Sequence, residues 1–344
     1  MENTKGVRQG GGEHVVHPPV SLWEEDVDKK MSATENIRTM ENMMTGSSSE
    51  GMREELRSRL EAYRREYPWT GARPMAEPRY PYFGKEVLEQ AVTALLAGEN
   101  LLLTGPKATG KNVLAENLAM LFGRPEWNVS FHINMDASYL IGMDTFSAGE
   151  VRFRPGPVYE CAVQGGFCIL DEINMARNEA MAVLHSLLDH RRILDVPGYG
   201  RVRLHPAARV IATMNYGYAG TRELNEALLS RFVVLQLPEL SEEYVRKLLF
   251  YEFPSLRQEA AGMFAGLFRD LQQKCEHREI SGRAVDLRGL LDALRMVRLG
   301  LAVRPAISMG ISNKCQDAEE RRLVEDAIDL RLPKDMPPDG VFGT

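Results

Sequence analysis

The chain has 344 residues, of which 44% are hydrophobic and 26% are charged, and its formal net charge is -6 at pH 7. This composition is typical of a globular protein with room for one large or two medium domains. The acidic balance argues against nonspecific binding to nucleic acid or to an anionic membrane, because both require a basic surface.

Targeting and redox signals are few. No run of about 18 apolar residues predicts a membrane span, and the first twenty residues lack the apolar core of a signal peptide. We therefore expect a cytoplasmic protein. The four cysteines are scattered without a close C-x-x-C pair, which favours reduced thiols over a zinc or redox site.

Residues 1–80 differ in character from the rest of the chain. The first fifty are rich in Gly, Ser, Glu, Asp and Met without a sustained apolar period, so we expect a disordered or loose arm. A short helix near 51–66 follows, with Leu56, Leu60, Tyr63 and Tyr67 on one face, and it could dock on the main domain or on a partner. Four prolines in 68–81 then predict an extended linker.

Residues 81–238 alternate between apolar strands and helices. The predicted strands are "NLLLT", "WNVSFHIN", "GGFCILDE", "ARVIATMN" and "FVVLQL". One intervening helix contains Ala182, Leu184, Leu187 and Leu188. Strands that are apolar throughout and separated by helices predict an α/β fold with a parallel sheet covered on both faces.

Residues 239–332 are mostly helical in pattern and predict a smaller all-helical domain. The expected helices cover about 241–253, 256–275, 283–298 and 316–330. The final residues, 333–344, read as a loose tail.

A glycine-rich loop joins the first of these strands to a helix. Gly105, Gly110 and Lys111 fit G-x-x-x-x-G-K, in which glycines let backbone N–H groups point at phosphate and the lysine reaches the β and γ phosphates. The expected nucleotide-binding residues are Gly105, Pro106, Lys107, Ala108, Thr109, Gly110, Lys111 and Asn112. A glycine-rich turn before an ordinary helix is the alternative.

Asn112 departs from the usual loop, which carries Ser or Thr at this position as a magnesium ligand. The amide oxygen of Asn is also a hard ligand that magnesium accepts, although the side chain is one atom longer. We expect Asn112 to affect the rate of hydrolysis more than nucleotide binding.

Polar residues end two further strands, where ligands bind in open α/β sheets. Asp171 is expected to hold magnesium, directly or through water, and Glu172 to polarise an attacking water as general base. Asn215 can hydrogen-bond that water or the γ phosphate.

Two arginines complete the pattern. Arg231 follows a helix just before the fifth strand, from where it can reach a phosphate bound on a neighbouring subunit. Arg283 is expected at the start of a helix of the second domain, where a cation is unfavourable and needs an anionic partner such as a nucleotide phosphate.

Together and in this order, the segments resemble those of AAA+ ATPases of the MoxR-like branch, and the CbbQ/NirQ/NorQ/GvpN group is closest in pattern. The matching segments within about residues 80–315 are "GPKATGKN" for Walker A, "FCILDEIN" for Walker B, "IATMN" for sensor 1, "LLSRF" for the arginine finger and "SGRA" for sensor 2. "LDHRRILDVPGYGRVRLHP" resembles the β-hairpin before sensor 1, and its "PGYG" turn suits a hairpin in its own right.

The resemblance implies a P-loop NTPase (AAA+) parallel-sheet domain followed by a helical lid domain. It further implies a homo-hexameric ring that binds ATP and Mg²⁺ between subunits, with Arg231 acting in trans. Members act as remodelling chaperones or activases on a partner protein complex, commonly with a von Willebrand factor A domain protein. No nucleic-acid partner is expected.

Two alternatives to an ATP-hydrolysing chaperone remain open. Asn112 leaves room for a nucleotide-binding switch or scaffold that hydrolyses little. A small-molecule kinase would share the phosphate loop, although the acid pair and Asn215 favour a water nucleophile. Four aromatic residues between the second and third strands, Tyr139, Phe146, Phe153 and Tyr159, either grip a substrate in a pore or belong to the core.

Overall fold

A five-stranded sheet forms the centre of the computed structural model, which describes residues 52–147, 149–215 and 223–343 together with residues 37 and 39. The strand order is β2-β5-β8-β1-β9 and every pairing is parallel. The strands are β1 (Leu101–Gly105), β2 (Glu126–Ser130), β5 (Phe167–Asp171), β8 (Arg209–Asn215) and β9 (Val233–Gln236). The predicted α/β fold with a parallel sheet is confirmed. The arm expected over the first fifty residues lies outside the described part of the chain, apart from residues 37 and 39.

Two antiparallel hairpins extend from this sheet domain. They are formed by β3 (Gly142–Ser147) with β4 (Glu150–Pro155), and by β6 (Ile193–Val196) with β7 (Gly200–Arg203). The second hairpin turns at the predicted "PGYG" segment, where Gly198 and Gly200 have φ of +78° and +88°. The hairpin before sensor 1 is therefore confirmed.

The sheet domain carries helices of very different lengths. They are α2 (Lys85–Leu96), α3 (Lys111–Leu121), α4 (Ala137–Ile141), α5 (Pro157–Gln164), α6 (Asn178–Met181), α7 (Leu184–Leu187) and α8 (Glu226–Leu229). A 3₁₀ turn follows β5 at Ile173–Met175. The single helix expected around Ala182 to Leu188 is instead two four-residue helices, of which α7 buries Leu184 and Leu187.

The C-terminal part is helical, as predicted. Its helices are α9 (Glu242–Glu252), α10 (Gln258–Glu276), α11 (Leu287–Arg298), α12 (Val303–Gly310) and α13 (Ala318–Arg331), with 3₁₀ turns at Ser312–Lys314 and Pro338–Gly340. We refer to residues 242–331 as the helical region. Helix α12 was not predicted from the sequence. No helix in the described ranges combines the length and the apolar character needed to cross a membrane.

The helix predicted near 51–66 is α1 (Glu54–Glu66), and it docks on the sheet domain. Leu60 is fully buried, the Tyr63 hydroxyl donates to the carbonyl of Ala207 at 2.8 Å, and Arg64 donates to the carbonyl of Leu121 at 2.9 Å. The following segment has no regular secondary structure but is also held. The amide of Asn117 donates to the Tyr80 carbonyl at 2.8 Å.

The expectation of a loose tail over 333–344 is wrong for the described residues. Val341 is fully buried, and its carbonyl accepts a hydrogen bond from the N–H of Arg257 at 2.9 Å. The Phe342 ring lies 5.7 Å from that of Phe253. Two apolar side chains in an otherwise polar segment are sufficient to anchor the chain end on the helical region.

Candidate functional site

The loop between β1 and α3 has the backbone geometry of a phosphate cradle. Gly105 has φ of +150° and Gly110 has φ of +83°, both in the region that favours glycine. A Cβ at Gly105 would lie 2.9 Å from the carbonyl oxygen of Leu237, so a larger residue would collide with the backbone there. Ala108 is also in the left-handed region, with φ of 61°. The sequence-predicted loop therefore forms at the carboxyl end of β1 and leads directly into a helix N-terminus.

Lys111 is buried at the base of this loop. Its Nζ donates to the carbonyl oxygens of Gly105 at 3.1 Å and Pro106 at 2.7 Å, and to the Thr109 hydroxyl at 3.2 Å. Burial lowers the pKa of Lys111 to about 8, against the opposing effect of Asp171 and Glu172. The ammonium group thus lacks a hydrogen-bonded anionic partner within the described chain, which is the electrostatic condition for binding phosphate.

The acid pair and Asn215 lie together at the carboxyl ends of β5 and β8. Strand β5 ends at Asp171, and Glu172 turns away in the left-handed region with φ of 53°. The Asn215 amide donates to Glu172 Oε1 at 3.1 Å, and the Asn174 amide donates to the Asn215 carbonyl at 2.9 Å. The amide of Asn215 therefore orients the carboxylate expected to act as general base.

Thr213 joins this group and was missed from the sequence. It is 1% exposed on β8, its hydroxyl donates to Asp171 Oδ1 at 2.6 Å, and it accepts the N–H of Glu172 at 3.0 Å. A signal was present, because Thr213 and Asn215 lie two positions apart and so on the same face of one strand.

Lys111, Asp171, Glu172 and Asn215 line one cavity of about 400 Å³ between the sheet domain and the helical region. Its polar lining is Lys107, Thr109, Lys111, Asn112, Asp171, Glu172, Asn215, Asp286 and Arg288. Its apolar and aromatic lining is Tyr80, Ala108, Val113, Leu240, Tyr244, Leu248, Val285, Leu287 and Leu291. A cavity of this size, with one charged and one apolar part, suits a nucleotide of phosphates and a planar base.

The donor set fits Mg²⁺. Asp171 offers a carboxylate and Asn112 an amide oxygen to the same cavity, and Mg²⁺ prefers hard oxygens from one or two such groups together with substrate phosphates and water. Within the described ranges no group of three or more His, Cys, Asp or Glu residues is placed to hold a metal. Magnesium delivered with a nucleotide does not need such a cage.

Arg283 lies in the cleft but not where the sequence placed it in the fold. It is exposed in a turn before α11, and that helix begins only at Leu287 because the Asp286 side chain caps it, accepting the N–H of Gly289 at 3.1 Å. The expectation that Arg283 opens the helix is therefore wrong. Arg283 lines an adjoining cleft of about 1270 Å³ together with Glu172 and Asn215.

Arg288 occupies the first turn of α11 and lines the 400 Å³ cavity. It was also missed from the sequence. A cation at a helix N-terminus opposes the helix dipole. No hydrogen bond or ion pair holds its side chain within the described part of the chain, although its charge lowers the pKa of Glu116 on α3. Arg288 is thus a second cation available to a nucleotide from the helical region.

Arg231 lies near the amino ends of the strands, whereas Lys111 lies beyond the carboxyl end of β1. Arg231 accepts at its carbonyl a hydrogen bond from the side chain of Asn100, the residue before β1, at 3.1 Å. It lines a cavity of about 920 Å³ with Arg192 and Arg209. Its buried Nε has no hydrogen-bond partner among the described residues. The structure therefore does not bring Arg231 to the cavity of its own chain.

The four aromatic residues divide into two pairs. Tyr139 is 56% exposed and Phe146 is 77% exposed. Phe153 and Tyr159 are partly buried with their rings 5.2 Å apart, and Phe153 also lies 4.6 Å from the ring of Tyr199 on the β6–β7 hairpin. Tyr199 donates a hydrogen bond to Asp144, so the two hairpins are joined.

Several known proteins are similar to this chain in sequence or in fold. Residues 100–232 match the family described as AAA domain (dynein-related subfamily). The chain is 34% identical over 243 residues to the uncharacterized protein YojN of Bacillus subtilis (strain 168), and this alignment covers 69% of this chain and 80% of YojN. The chain is 30% identical over 264 residues to an uncharacterized protein of Staphylococcus haemolyticus, and that alignment covers 75% of this chain and 100% of that protein. Among solved structures, a RuvB mutant of Thermotoga maritima aligns with a TM-score of 0.44 and 15% identity, over 76% of this chain and 73% of that one. The chain belongs to the same family as YojN, and its residues 100–232 form an AAA domain of the dynein-related subfamily.

Proposed function

We propose that this protein binds Mg²⁺ and ATP in the 400 Å³ cavity and hydrolyses ATP to ADP and phosphate. The observation that carries the proposal is that one cavity contains Lys111, Asp171, Glu172 and Asn215. A buried ammonium group, a metal-binding carboxylate and an amide-oriented carboxylate are the groups that hydrolysis of a phosphoanhydride requires. A small-molecule kinase would need an acceptor site in place of Glu172.

Each group has a role that follows from its position. The loop N–H groups and Lys111 would bind the β and γ phosphates, and Asp171 and Asn112 would hold Mg²⁺, which neutralises phosphate charge when bound. Glu172 would take a proton from the attacking water, while the hydrogen bond from Asn215 keeps its carboxylate directed. The aromatic and aliphatic side chains of Tyr80, Tyr244 and their neighbours would pack on the base.

The test measures phosphate release and nucleotide affinity in parallel. Glu172→Gln should lower turnover about 100-fold or more and keep ATP binding, whereas Lys111→Ala should lose both. Glu319→Gln, on the exposed side of α13, is a control for the change from carboxylate to amide and should behave as the unmodified protein. Unchanged turnover in Glu172→Gln would refute the assignment of the general base.

We further propose that the protein works as a homo-hexameric ring in which Arg231 completes the site of the neighbouring subunit. The unpartnered Nε of Arg231 and the exposed apolar residues beside it, Leu229, Val233 and Val234 on or next to edge strand β9, support an interface on this face.

Mixing two inactive variants tests the arrangement. Arg231→Ala subunits retain Glu172, and Glu172→Gln subunits retain Arg231, so random assembly should restore about a quarter of the sites if the arginine acts between subunits. Mixtures that stay inactive, although light scattering shows mixed rings, would refute the action of Arg231 on the site of a neighbouring subunit.

The joined hairpins are the proposed contact with a client protein, which the ring would remodel as a chaperone or activase, in concert with a von Willebrand factor A domain partner. The support is the exposed cross-strand pair of Phe146 and Val151, which are 77% and 66% exposed at the end of the β3–β4 hairpin. Phe146→Ser should leave basal ATPase activity intact and abolish stimulation by a client. Basal activity that falls with Phe146→Ser would instead give the residue a structural role.

A nucleotide-dependent switch with slow hydrolysis is the second candidate, and Asn112 is the observation that favours it. An amide at the cavity wall places its oxygen farther from the backbone than a hydroxyl would. Asn112→Thr should raise turnover several-fold or more if the amide is a poor magnesium ligand. Equal or lower turnover in Asn112→Thr would establish Asn112 as a competent ligand.

A further inference from the structure

We propose that Thr213 is a positioning residue that sets both acids of the site, Asp171 and Glu172, through one buried hydroxyl. The proposal rests on the proposed ATPase function and goes beyond it by assigning a role to a residue that is not among those lining the 400 Å³ cavity. Its hydroxyl lies 2.6 Å from Asp171 Oδ1 and 3.0 Å from the main-chain N of Glu172.

The direction of both hydrogen bonds is fixed by chemistry. A main-chain N–H only donates, so the N–H of Glu172 must point at a lone pair of the Thr213 hydroxyl. The single hydroxyl proton is then free to be donated to Asp171, whose carboxylate only accepts when ionised. At 1% exposure no bulk solvent competes for either bond. The hydroxyl therefore has one orientation, and it holds two neighbouring acids at once.

The position of Thr213 in the sheet explains why a side chain is needed there. The main-chain pairing of β5 with β8 runs from Phe167 opposite Arg209 to Leu170 opposite Ala212 and then stops. Thr213 is the next residue of β8. Its hydroxyl accepts a hydrogen bond from the N–H of Glu172 where the main-chain pairing of the two strands has ended. This bond lies at the point where Glu172 enters the left-handed region, with φ of 53°, which is uncommon for a residue with a Cβ.

Asp171 and Glu172 are therefore held for two different roles. Donation from Thr213 occupies Oδ1 of Asp171, so the other carboxylate oxygen stays available to a metal or its water. The left-handed turn directs Glu172 away from the strand toward Asn215, whose amide meets its carboxylate at 3.1 Å. Without the hydroxyl, one acid loses its orientation and the other loses the bond that supports its backbone.

Thr213→Val and Thr213→Ser distinguish the hydrogen-bonding role of Thr213 from a packing role. Thr213→Val keeps the shape of the side chain and removes both hydrogen bonds, whereas Thr213→Ser keeps the hydroxyl and removes a methyl group. We expect Thr213→Val to lower kcat roughly 10- to 100-fold and to raise KM only by the several-fold loss of Mg²⁺-dependent affinity, because the reacting groups are misplaced while the phosphate loop is intact. Thr213→Ser should retain most of the activity.

A binding measurement reports on Asp171 independently of turnover. We would titrate a fluorescent ATP analogue into each variant with Mg²⁺ and with EDTA. The ratio of the two affinities should fall several-fold in Thr213→Val and stay unchanged in Thr213→Ser, while the affinity in EDTA stays the same in all three proteins. Thermal unfolding of each variant checks the fold, and if Thr213→Val does not fold, Thr213→Ala takes its place in the comparison with Thr213→Ser.

The outcomes separate this inference from the function on which it rests. An unmodified protein that neither binds nor hydrolyses ATP would overturn the proposed function itself. An active protein in which Thr213→Val matches the original in kcat and in the Mg²⁺ ratio would overturn the role of Thr213 alone. Equal losses in the serine and valine variants would also overturn it, since they would trace the effect to packing.

Discussion

Raising the pH from 7 to 9 should weaken nucleotide binding about tenfold, because it removes the charge of Lys111. Burial lowers the pKa of this lysine to about 8 in the protein alone. A phosphate within reach of Nζ favours the charged form, so the complex keeps the proton. The protonated fraction of Lys111 falls from about 90% at pH 7 to about 10% at pH 9, and the apparent Kd rises by the ratio of these fractions.

Removal of an acid near Lys111 should also shift the pH dependence of nucleotide binding. The negative charges of Asp171 and Glu172 raise the pKa of Lys111 against the effect of burial. Glu172→Gln removes one of these charges, and the midpoint of the affinity profile should therefore move to lower pH. A move to higher pH would contradict the electrostatic account.

The assay is a titration of a fluorescent ADP analogue at half-unit steps from pH 7 to pH 9.5. Lys111→Arg is the matched control, because a guanidinium stays charged over this range and its profile should be flat even if binding is weaker. Calorimetry at pH 8.5 in two buffers with different ionisation enthalpies should also detect proton uptake on binding. A Kd of the unmodified protein that changes less than about twofold between pH 7 and pH 9 would refute the reasoning, since Lys111 would then stay charged.

Four further substitutions have defined outcomes. Burial, and next the nearby Glu126, raise the pKa of Glu116 to about 7. The native state therefore holds a proton that the unfolded chain has released, and stability falls as pH rises toward 7. Glu116→Gln should gain about 1 to 2 kcal/mol in urea unfolding at pH 8 and nothing at pH 4, after allowance for solvent screening. Arg288→Ala should weaken ATP binding about five- to tenfold in the fluorescence titration, whereas Arg283→Ala, beside Glu172 in the adjoining cleft, should lower turnover more than affinity. Tyr63→Phe should lower the free energy of unfolding by about 1 kcal/mol and leave ATPase activity unchanged, since only the buried hydrogen bond of α1 to the sheet domain is lost.

The sheet domain was predictable because its signals are local. Strands buried on both faces are apolar throughout, as β1 is, and the glycines of the phosphate loop have backbone conformations that few other residues adopt. The acid pair and Asn215 were found by the same logic, because parallel strands bring their carboxyl ends to one edge.

The wrong predictions concern segments whose structure depends on contacts between residues far apart in the sequence. The polar composition of 333–344 predicts a loose end, yet Val341 is fully buried and Phe342 lies against Phe253 and Leu256, between α9 and α10. The start of α11 was placed too early, because Asp286 provides a better N-cap than the residues around Arg283. Asp286 is visible in the sequence, but several polar residues precede this helix, and only the fold selects one of them.

The distribution of charge connects the cavity, the helical region and Arg231. From the sheet domain, Lys107 and the buried Lys111 line the cavity with Asp171 and Glu172, so these two cations alone are poorly matched to the several negative charges of a nucleotide. The further cations that would balance a bound nucleotide belong to other parts of the molecule. Arg288 lines the cavity from the helical region, Arg283 lines the adjoining cleft, and Arg231 lies near the amino ends of the strands. If phosphate charge draws in all of them, ATP binding is coupled to the position of the helical region and to assembly with a neighbouring subunit, and loss of the γ phosphate weakens both together.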